Sequence, residues 1–340
     1  MAVIKDVAEY AGVSKSTVSK FLNNPDQLTE DYRKRIEDAV NALHYTPNKI
    51  AQSMRTKKTN QIAMIVPDIE NPFYSEVFSN LRAYATLQGY RVIVYSTEDD
   101  LEDLKKYMDN IESIFADGLI ICFLDEDEII EKFDEIRNKI PVTLMGWEIH
   151  STNFNSVVLS LNESVFKITQ YMTELGHKRI AFLNGPADSR ITREKYDGFQ
   201  RAMRMAGLEV DSELVKNGRY RPKYGFYHTS LLMQMKNPPT AIVCANDYLA
   251  IGCIKYLQQN HYRVPEDIAV TGHDGVQLAF LYDPSITTHA MPIAEMCKAA
   301  VDMLINKIEH PQSKNRQAIF TTRLIEGKST NPNAPNIIDL

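Results

Sequence analysis

From residue 61 onward, short apolar runs alternate with amphipathic stretches. The runs QIAMIVPDI, YRVIVYST, DGLIICF and PVTLMGW are separated by stretches of helical periodicity, and the same rhythm returns with SVVLS, KRIAFLNG, TAIVCAND and DIAVTGHD. Strands that are apolar throughout and alternate with helices are typical of parallel sheets covered on both faces. The pattern therefore predicts two α/β lobes, with SVVLS opening the second and with crossings near residues 150–160 and 280–290.

Polar and aromatic side chains follow several of these strands. Ligands of open parallel sheets bind beyond the carboxyl ends of the strands, so a cleft between the lobes is the expected ligand site. Any one of these side chains could equally be a helix cap or a surface residue. The residues in this position are Phe73, Tyr74, Trp147, Asn246, Asp247 and Asp274.

The beginning of the chain predicts two short helices joined by a tight turn. Gly12 tolerates the left-handed conformation that ends a helix, and Ser14 stands where an N-cap belongs. Val18 and Leu22 then form the buried side of the second helix. The apolar positions of the first helix are Ile4, Val7, Ala8 and Ala11. The outward side chains of the second are Lys15, Ser16, Ser19 and Lys20.

A third helix is predicted after Thr29, which can cap it, with Glu30 and Asp31 in its first turn. Its inward positions are Ile36, Ala39, Val40 and Leu43. Two helices around a glycine-containing turn, the second polar on its outer side, are the helix-turn-helix arrangement that fits the major groove of DNA. An ordinary three-helix packing unit with a solvated face is the alternative.

A short basic linker, TPNKIAQSMRTKKTN, follows. Pro47 ends the preceding helix and Asn48 can cap a new one over residues 48–56. A helix of barely two turns is marginal in water, so we expect it to form only when something holds it.

The charge of the chain is uneven. The net charge is −6, yet residues 1–60 carry ten Lys and Arg against seven Asp and Glu. A basic head on an acidic body indicates that the head alone contacts an anionic partner. The four cysteines stand singly, three of them in apolar surroundings, which favours buried thiols over disulfides or a zinc site. No apolar stretch approaches membrane-span length and the N-terminus lacks a secretory core, so we expect a cytoplasmic protein without membrane or cofactor.

The head and linker, IKDVAEYAGVSKSTVSKFLN and YTPNKIAQSMRTKKTN, resemble the DNA-binding head and hinge of the lactose-repressor/galactose-repressor family of bacterial transcription regulators. The resemblance implies that Lys15, Ser16 and Lys20 read bases or phosphates in double-stranded operator DNA. Thr17, Ser19, Asn23 and Tyr45 would support backbone contacts. The hinge residues Asn48, Ala51 and Met54 would enter the minor groove, with Met54 in place of the usual leucine wedge. Lys20 stands where arginine is frequent, which indicates a different preferred operator.

The resemblance continues through NPFY, LGHKRIAF, CANDYLAIG and DPSITT. It implies an N-terminal all-α helix-turn-helix head and a periplasmic-binding-protein-like α/β body of two parallel-sheet lobes, which binds a small effector, often a sugar, and dimerises. By position, Phe73, Tyr220, Asn246 and Asp274 correspond to effector contacts. Lys195 replaces a common arginine, with Arg193 close by; Gly146 and Trp147 replace a common acid.

These expectations give a domain plan. The head spans residues 1–46, the hinge and linker 47–60, and the body 61–330, with lobe 1 at about 61–150 and 291–320 and lobe 2 at about 160–285. Residues 331–340 are expected to be disordered. A leucine-heptad tetramerisation helix is missing at the end, which favours a homodimer on a palindromic operator.

Two other functions are disfavoured by the sequence. An enzyme is disfavoured because the sequence contains no GxSxG, GxGxxG or HExxH motif, and EGKST at 326–330 lacks the first glycine of a phosphate loop. A sugar-transport component is disfavoured because it would have a signal sequence and no use for the head. The effector stays open: a sugar or sugar derivative, a non-sugar metabolite, or a protein co-regulator.

Overall fold

The computed structural model describes residues 2–46, 58–98, 100–111, 114–123, 135–136, 138–147 and 153–336, without the side chains of Asn23, Leu101 and Trp147. The chain divides into two compact units, Met1–Thr59 and Asn60–Leu340. They correspond to the head with its linker and to the body.

Over residues 2–46 the head consists of three helices: α1 (Ile4–Ala11), α2 (Lys15–Asn23) and α3 (Glu30–Ala42). Gly12 ends α1 with a φ of 65°, and the Ser14 hydroxyl caps α2 by accepting from the amide of Thr17 at 3.2 Å. Thr29 occupies the N-cap position of α3 without a capping side-chain hydrogen bond. The core of the head is formed by Val7, Ala8, Ala11, Val18, Ile36 and Ala39. The predicted roles of Gly12 and Ser14 are therefore confirmed, whereas Thr29 marks the start of α3 without the predicted capping bond.

The described strands of the body form two six-stranded sheets. The first has the order β11-β5-β4-β3-β1-β2 and is parallel throughout; the second has the order β12-β10-β9-β8-β6-β7, with β12 antiparallel to β10. The strands are β1 (Gln61–Val66), β2 (Arg91–Ser96), β3 (Gly118–Cys122), β4 (Val142–Trp147), β5 (Asn155–Leu159), β6 (Ile180–Asn184), β7 (Val215–Asn217), β8 (Ala241–Cys244), β9 (Ala269–Asp274), β10 (Thr287–Ala290), β11 (Gln317–Phe320) and β12 (Arg323–Ile325).

Helices cover both faces of each sheet. Most strands are buried along their length, as in β3, β5 and β6, because a parallel sheet between two helical layers has no solvent face. The helices of the body are α4 (Pro72–Leu87), α5 (Leu101–Asp109), α6 (Leu161–Glu174), α7 (Arg190–Met205), α8 (Pro222–Met233), α9 (Asp247–Gln259), α10 (Gln277–Leu281) and α11 (Ile293–Glu309).

Over the residues that the structure describes, the chain crosses between the lobes three times: after β5, after β10 and after β11. The assignment of SVVLS to the second lobe was wrong, since β5 pairs with β4 and β11 in the first sheet. The stretch predicted to cross near 280–290 contains β10, which pairs with β9, so that crossing begins only after Ala290. A fully buried strand has the same apolar pattern in either sheet, and the pattern therefore does not reveal which lobe a strand joins.

The end of the chain is built into the second lobe. Ser329 Oγ accepts from the amide of Thr287 at 2.9 Å and donates to Val270 O at 2.6 Å, which gives the EGKST segment a structural role. Residues 331–336, expected to be disordered, form a hydrogen-bonded turn in which the Ala334 amide bonds Asn331 O at 2.9 Å and Ala334 is buried. Residues 337–340 lie outside the described residues.

Candidate functional site

The outer face of α2 carries the side chains expected to contact DNA. Lys15, Ser16 and Lys20 are exposed, and Ser19 is half-buried. Thr17 instead takes part in capping, because its hydroxyl lies 2.8 Å from Ser14 Oγ. The short helix thus presents two ammonium groups and hydroxyls outward, a combination that can bind phosphates and base edges.

The orientation of α2 is fixed from α3. Arg35 Nη2 donates to Ala11 O at 2.6 Å and to Gly12 O at 3.2 Å, and so ties the turn between α1 and α2 to the third helix. Tyr45 packs half-buried against the core of the head. The Asn23 side chain and the hinge residues Asn48, Ala51 and Met54 lie outside the described part of the chain.

In the body, the first lobe contributes an aromatic cluster at the start of α4. Phe73 is 3% exposed and packs edge to face against Tyr74 and Phe123, with ring centroids 5.1 and 4.9 Å apart. Asn71 caps α4 by accepting from the Phe73 amide at 3.1 Å. The sequence analysis did not predict Phe123 as part of the site. It directly follows the strand run LIIC, as Trp147 follows the run TLMG, so the same signal could have identified it.

The second lobe contributes a buried cation beside an aromatic ring. Lys195, on α7, is 3% exposed, donates from Nζ to Ala245 O at 2.7 Å, and lies 5.0 Å from the ring centroid of Tyr220. The Tyr220 hydroxyl is 3.3 Å from Thr192 Oγ1. The second lobe thus places a buried positive charge against an aromatic ring.

Asp274 ends β9 in an unusual backbone conformation, with a φ of 120°. The following turn is held by Asp247, whose Oδ2 accepts from the amides of Gly275 at 2.8 Å and Val276 at 3.0 Å. Burial raises the pKa of Asp274 to about 7 against the opposing effect of Lys195. Burial and the neighbouring Asp274 also raise the pKa of Asp247.

The two lobes meet beside Asp274. Glu76 Oε1, on α4 of the first lobe, accepts from the Gln277 amide of the second at 2.7 Å. Burial raises the pKa of Glu76, the bond from the Gln277 amide lowers it, and the charge of Asp274 raises it. A second bridge joins Arg221 to Asp68 at 2.9 Å and to Glu70. The aromatic start of α4 and the polar end of β9 therefore border the same cleft.

Not every predicted contact is directed into this cleft. Asn246 caps α9, its Oδ1 accepting from the Leu249 amide at 2.8 Å. Arg193 is exposed and donates to Asp188 O at 2.8 Å, whereas Lys195 of the same helix is buried. The Trp147 side chain lies outside the described residues. Among the predicted contacts, Phe73 packs on Tyr74 in the first lobe, and Lys195 lies beside Tyr220 in the second. Asp274 belongs to the second lobe and is close enough to Lys195 for the ammonium to lower its pKa.

The described residues contain no group of three or more His, Cys, Asp or Glu arranged to hold a metal ion. Within them, no helix has the length and apolar character needed to cross a membrane. All four cysteines are free and buried, as predicted.

Comparisons with known proteins agree over both parts of the chain. A profile described as "Bacterial regulatory proteins, lacI family" matches residues 3–48, and one described as "Periplasmic binding protein-like domain" matches residues 169–330. The chain is 31% identical to the HTH-type transcriptional repressor PurR of Aliivibrio salmonicida, over 93% of this chain and 95% of the relative. It is 33% identical to PurR of Aliivibrio fischeri, over 93% and 94%.

A similar solved structure is the Lac repressor dimer bound to operator and the anti-inducer ONPF. The TM-score is 0.84 at 25% sequence identity, and the superposition covers 97% of this chain and 99% of that one.

Proposed function

This chain belongs to the lacI family of bacterial regulatory proteins, and on that premise we propose that a small polar effector bound between its lobes controls its affinity for operator DNA. The coarser assignment, a DNA-binding repressor with an effector-binding body, follows from the family itself. We further propose that it acts as a homodimer on a palindromic operator and catalyses no reaction.

The effector proposal rests on one observation: an aromatic ring, a buried cation and a buried acid border the cleft. Phe73 supplies a ring from the first lobe, while Lys195 and Asp274 come from the second. A sugar fits this chemistry because its C–H face packs on rings and its hydroxyls both donate and accept hydrogen bonds. We therefore propose a sugar or sugar derivative as the effector.

A non-sugar metabolite is the second candidate for the same site. Tyr220 with Lys195 above its ring could equally hold a flat polar ring, and its hydroxyl lies against Thr192. A protein co-regulator is the remaining alternative, and it would leave the cleft empty of small ligands.

A thermal-shift screen of the full-length protein distinguishes these candidates. Simple sugars, sugar phosphates and nucleobases form three arms, and a compound that raises the melting temperature is then tested for its effect on operator binding by fluorescence anisotropy. We expect a hit in the sugar or sugar-phosphate arm. A response confined to the nucleobases would overturn the sugar assignment, and no response in any arm would favour the co-regulator.

The site itself is tested by Asp274→Ala. The variant should lose the response to the identified compound while binding the operator in its absence as the wild type does. Glu209→Gln is the matched control, since it removes an exposed carboxylate of the same lobe and should leave both properties unchanged. A normal response in Asp274→Ala would exclude the carboxyl as an effector contact.

A further inference from the structure

A chain of three buried polar side chains leads away from the cleft. Ser164 Oγ, in the first turn of α6, lies 2.7 Å from His273 Nε2, and His273 Nδ1 lies 3.0 Å from Asp274 Oδ1. Ser164 is 1% and His273 0% exposed. Neighbouring residues of a strand normally point to opposite faces. The His273 and Asp274 side chains meet because the backbone turns at the positive φ of Asp274.

The hydrogen-bond geometry of Ser164 restricts where the protons lie. Ser164 Oγ is also 2.9 Å from Leu161 O, which can only accept. A serine hydroxyl has one proton, so if Ser164 donates to Leu161 O, then Nε2 of His273 must carry a proton and donate to Oγ. The neutral ring then has its lone pair at Nδ1. Its contact with Asp274 is a hydrogen bond only if the carboxyl is protonated and donates.

A second arrangement of the protons is also compatible with the hydrogen-bond distances among these three residues. An ionised Asp274 accepts from Nδ1–H of His273, and Ser164 turns its proton to Nε2, giving up the bond to Leu161 O. The doubly protonated ring is excluded near neutral pH, because burial and then the charge of Lys195 lower the pKa of His273 well below its usual range. Each protonation state of Asp274 therefore corresponds to one tautomer of His273.

We propose that Ser164 and His273 are positioning residues of the effector site, which couple the tautomer of His273 to the proton on Asp274 and so set whether the effector meets a charged carboxylate or a neutral carboxyl oxygen as its acceptor. The statement that Asp274 contacts an effector rests on the proposed function. The relay itself is a property of the protein alone and can be measured without an effector.

The surroundings of Asp274 indicate that its carboxyl loses its proton near neutral pH. Lys195 on α7 favours the carboxylate and opposes the effect of burial. Asp247 on α9 and Glu76 on α4 are the acidic neighbours, and the charge of Asp274 raises the pKa of each. On the adjacent strand β10, burial lowers the pKa of His289 to about 3, so that ring adds no charge near neutral pH. Burial raises the pKa of Asp274 to about 7. The relay should therefore switch close to physiological pH.

The order Ser164, His273, Asp274 has the connectivity of a hydrolase triad, but its surroundings exclude that role. A nucleophilic serine must reach a substrate, whereas Ser164 is buried within α6 and bonded to the backbone oxygen of Leu161. Of these three residues, only Asp274 borders the cleft. The hydrogen bonds of Ser164 and His273 instead influence whether the Asp274 carboxyl holds a proton.

Nitrogen NMR of the histidine rings tests the relay directly. In the full-length protein with ¹⁵N-labelled histidine, long-range ¹H–¹⁵N spectra report which ring nitrogen carries the proton. We expect His273 to be protonated at Nε2 below neutrality and to shift toward Nδ1 as the pH rises from about 6 to about 8. A tautomer that does not change over this range overturns the proposal.

Two substitutions identify the partners. Asp274→Asn keeps the shape, and its amide can donate to Nδ1 without titrating, so His273 should stay protonated at Nε2 at every pH tested. Ser164→Ala removes the acceptor for Nε2–H and should move the transition to lower pH. An unchanged titration of His273 in Asp274→Asn contradicts the relay. His177, bonded through Nδ1 to Thr240 at 3.0 Å, is the internal control and should be the same in all spectra.

The same variants separate failure of the relay from failure of the proposed function. Compounds that stabilise the wild type in the thermal-shift screen are titrated at two pH values, on the wild type and on Ser164→Ala. The affinity of the wild type should change several-fold between them, and the profile of Ser164→Ala should be displaced. If the tautomer of His273 titrates but Asp274→Ala still responds to the effector, the relay stands and the assignment of the effector contact falls.

Discussion

Arg221 of the second lobe reaches Asp68 of the first, with 2.9 Å between Nη2 and Oδ2. The Asp68 side chain is 8% exposed, whereas the Glu70 side chain, which Arg221 also contacts, is 70% exposed. The guanidinium of Arg221 thus reaches from the second lobe to two acids of the first, one buried and one exposed. The two bonds should contribute very differently to holding the lobes together.

Arg221→Met should therefore destabilise the body through Asp68. Removing the guanidinium leaves the Asp68 carboxylate without its partner across the cleft, a loss of about 1–3 kcal/mol in the free energy of unfolding. Urea unfolding measures it. A double-mutant cycle with Asp68→Asn should give a coupling of at least about 1 kcal/mol. Glu70→Gln is the control, with an expected change below about 0.5 kcal/mol because exposed pairs contribute little. Equal losses of unfolding free energy in Asp68→Asn and Glu70→Gln would show that burial does not determine the strength of the two ion pairs.

Stability should depend on pH through Asp274. Its pKa is about 7 in the folded protein, against about 3.9 in an unfolded chain, so the folded state holds this proton to higher pH. The resulting stabilisation is complete below about pH 4 and is lost as the pH rises to about 7. The stability of the wild type relative to Asp274→Asn should fall by about 2–4 kcal/mol across that window and then level off.

Denaturant unfolding at a series of pH values measures this difference, in which contributions common to both proteins cancel. Glu209→Gln should follow the wild type at every pH, because its carboxylate is exposed. A difference between the wild type and Asp274→Asn that stays constant from about pH 4 to about pH 7 would mean that Asp274 is ionised in the folded protein throughout.

Operator binding should depend on salt through α2. Lys20 is exposed on its outer face, and a lysine that contacts a phosphate adds about one unit to the slope of log K against log salt concentration. Lys20→Ala should therefore reduce the slope by about one on a palindromic operator selected from random DNA. Lys34→Ala, which removes an exposed lysine of α3, should leave it unchanged. Equal slopes for the two variants would place Lys20 away from the DNA backbone.

Features determined within a few residues could be predicted from the sequence. Gly12 ends α1 and Ser14 caps α2 because a left-handed residue and a capping hydroxyl act over a single turn. The apolar runs likewise identified most strands of the body. Which sheet β5 joins depends on its partners β4 and β11, and the apolar pattern carries no information about them.

The composition of the cleft was predictable only in part. Asp274 could be placed there because it ends a strand, but alternation along β9 would direct His273 away from it. The two side chains meet only because Asp274 adopts a positive φ, in a turn held by Asp247 from α9. That bond joins residues far apart in the sequence. The relay through Ser164 therefore became visible only in the folded structure.

The body should fold without the head and lose specific DNA binding. Residues 60–340 form a compact unit by themselves, and the exposed lysines of α2 belong to the other unit. A fragment of these residues should unfold cooperatively, respond to the effector identified for the full chain, and show no preference for the operator over random DNA. Ending the fragment at residue 328 should destabilise it, because Ser329 bonds both Thr287 and Val270. Circular dichroism and competition binding measure both properties. Operator-selective binding by residues 60–340 would contradict the assignment of base recognition to the head.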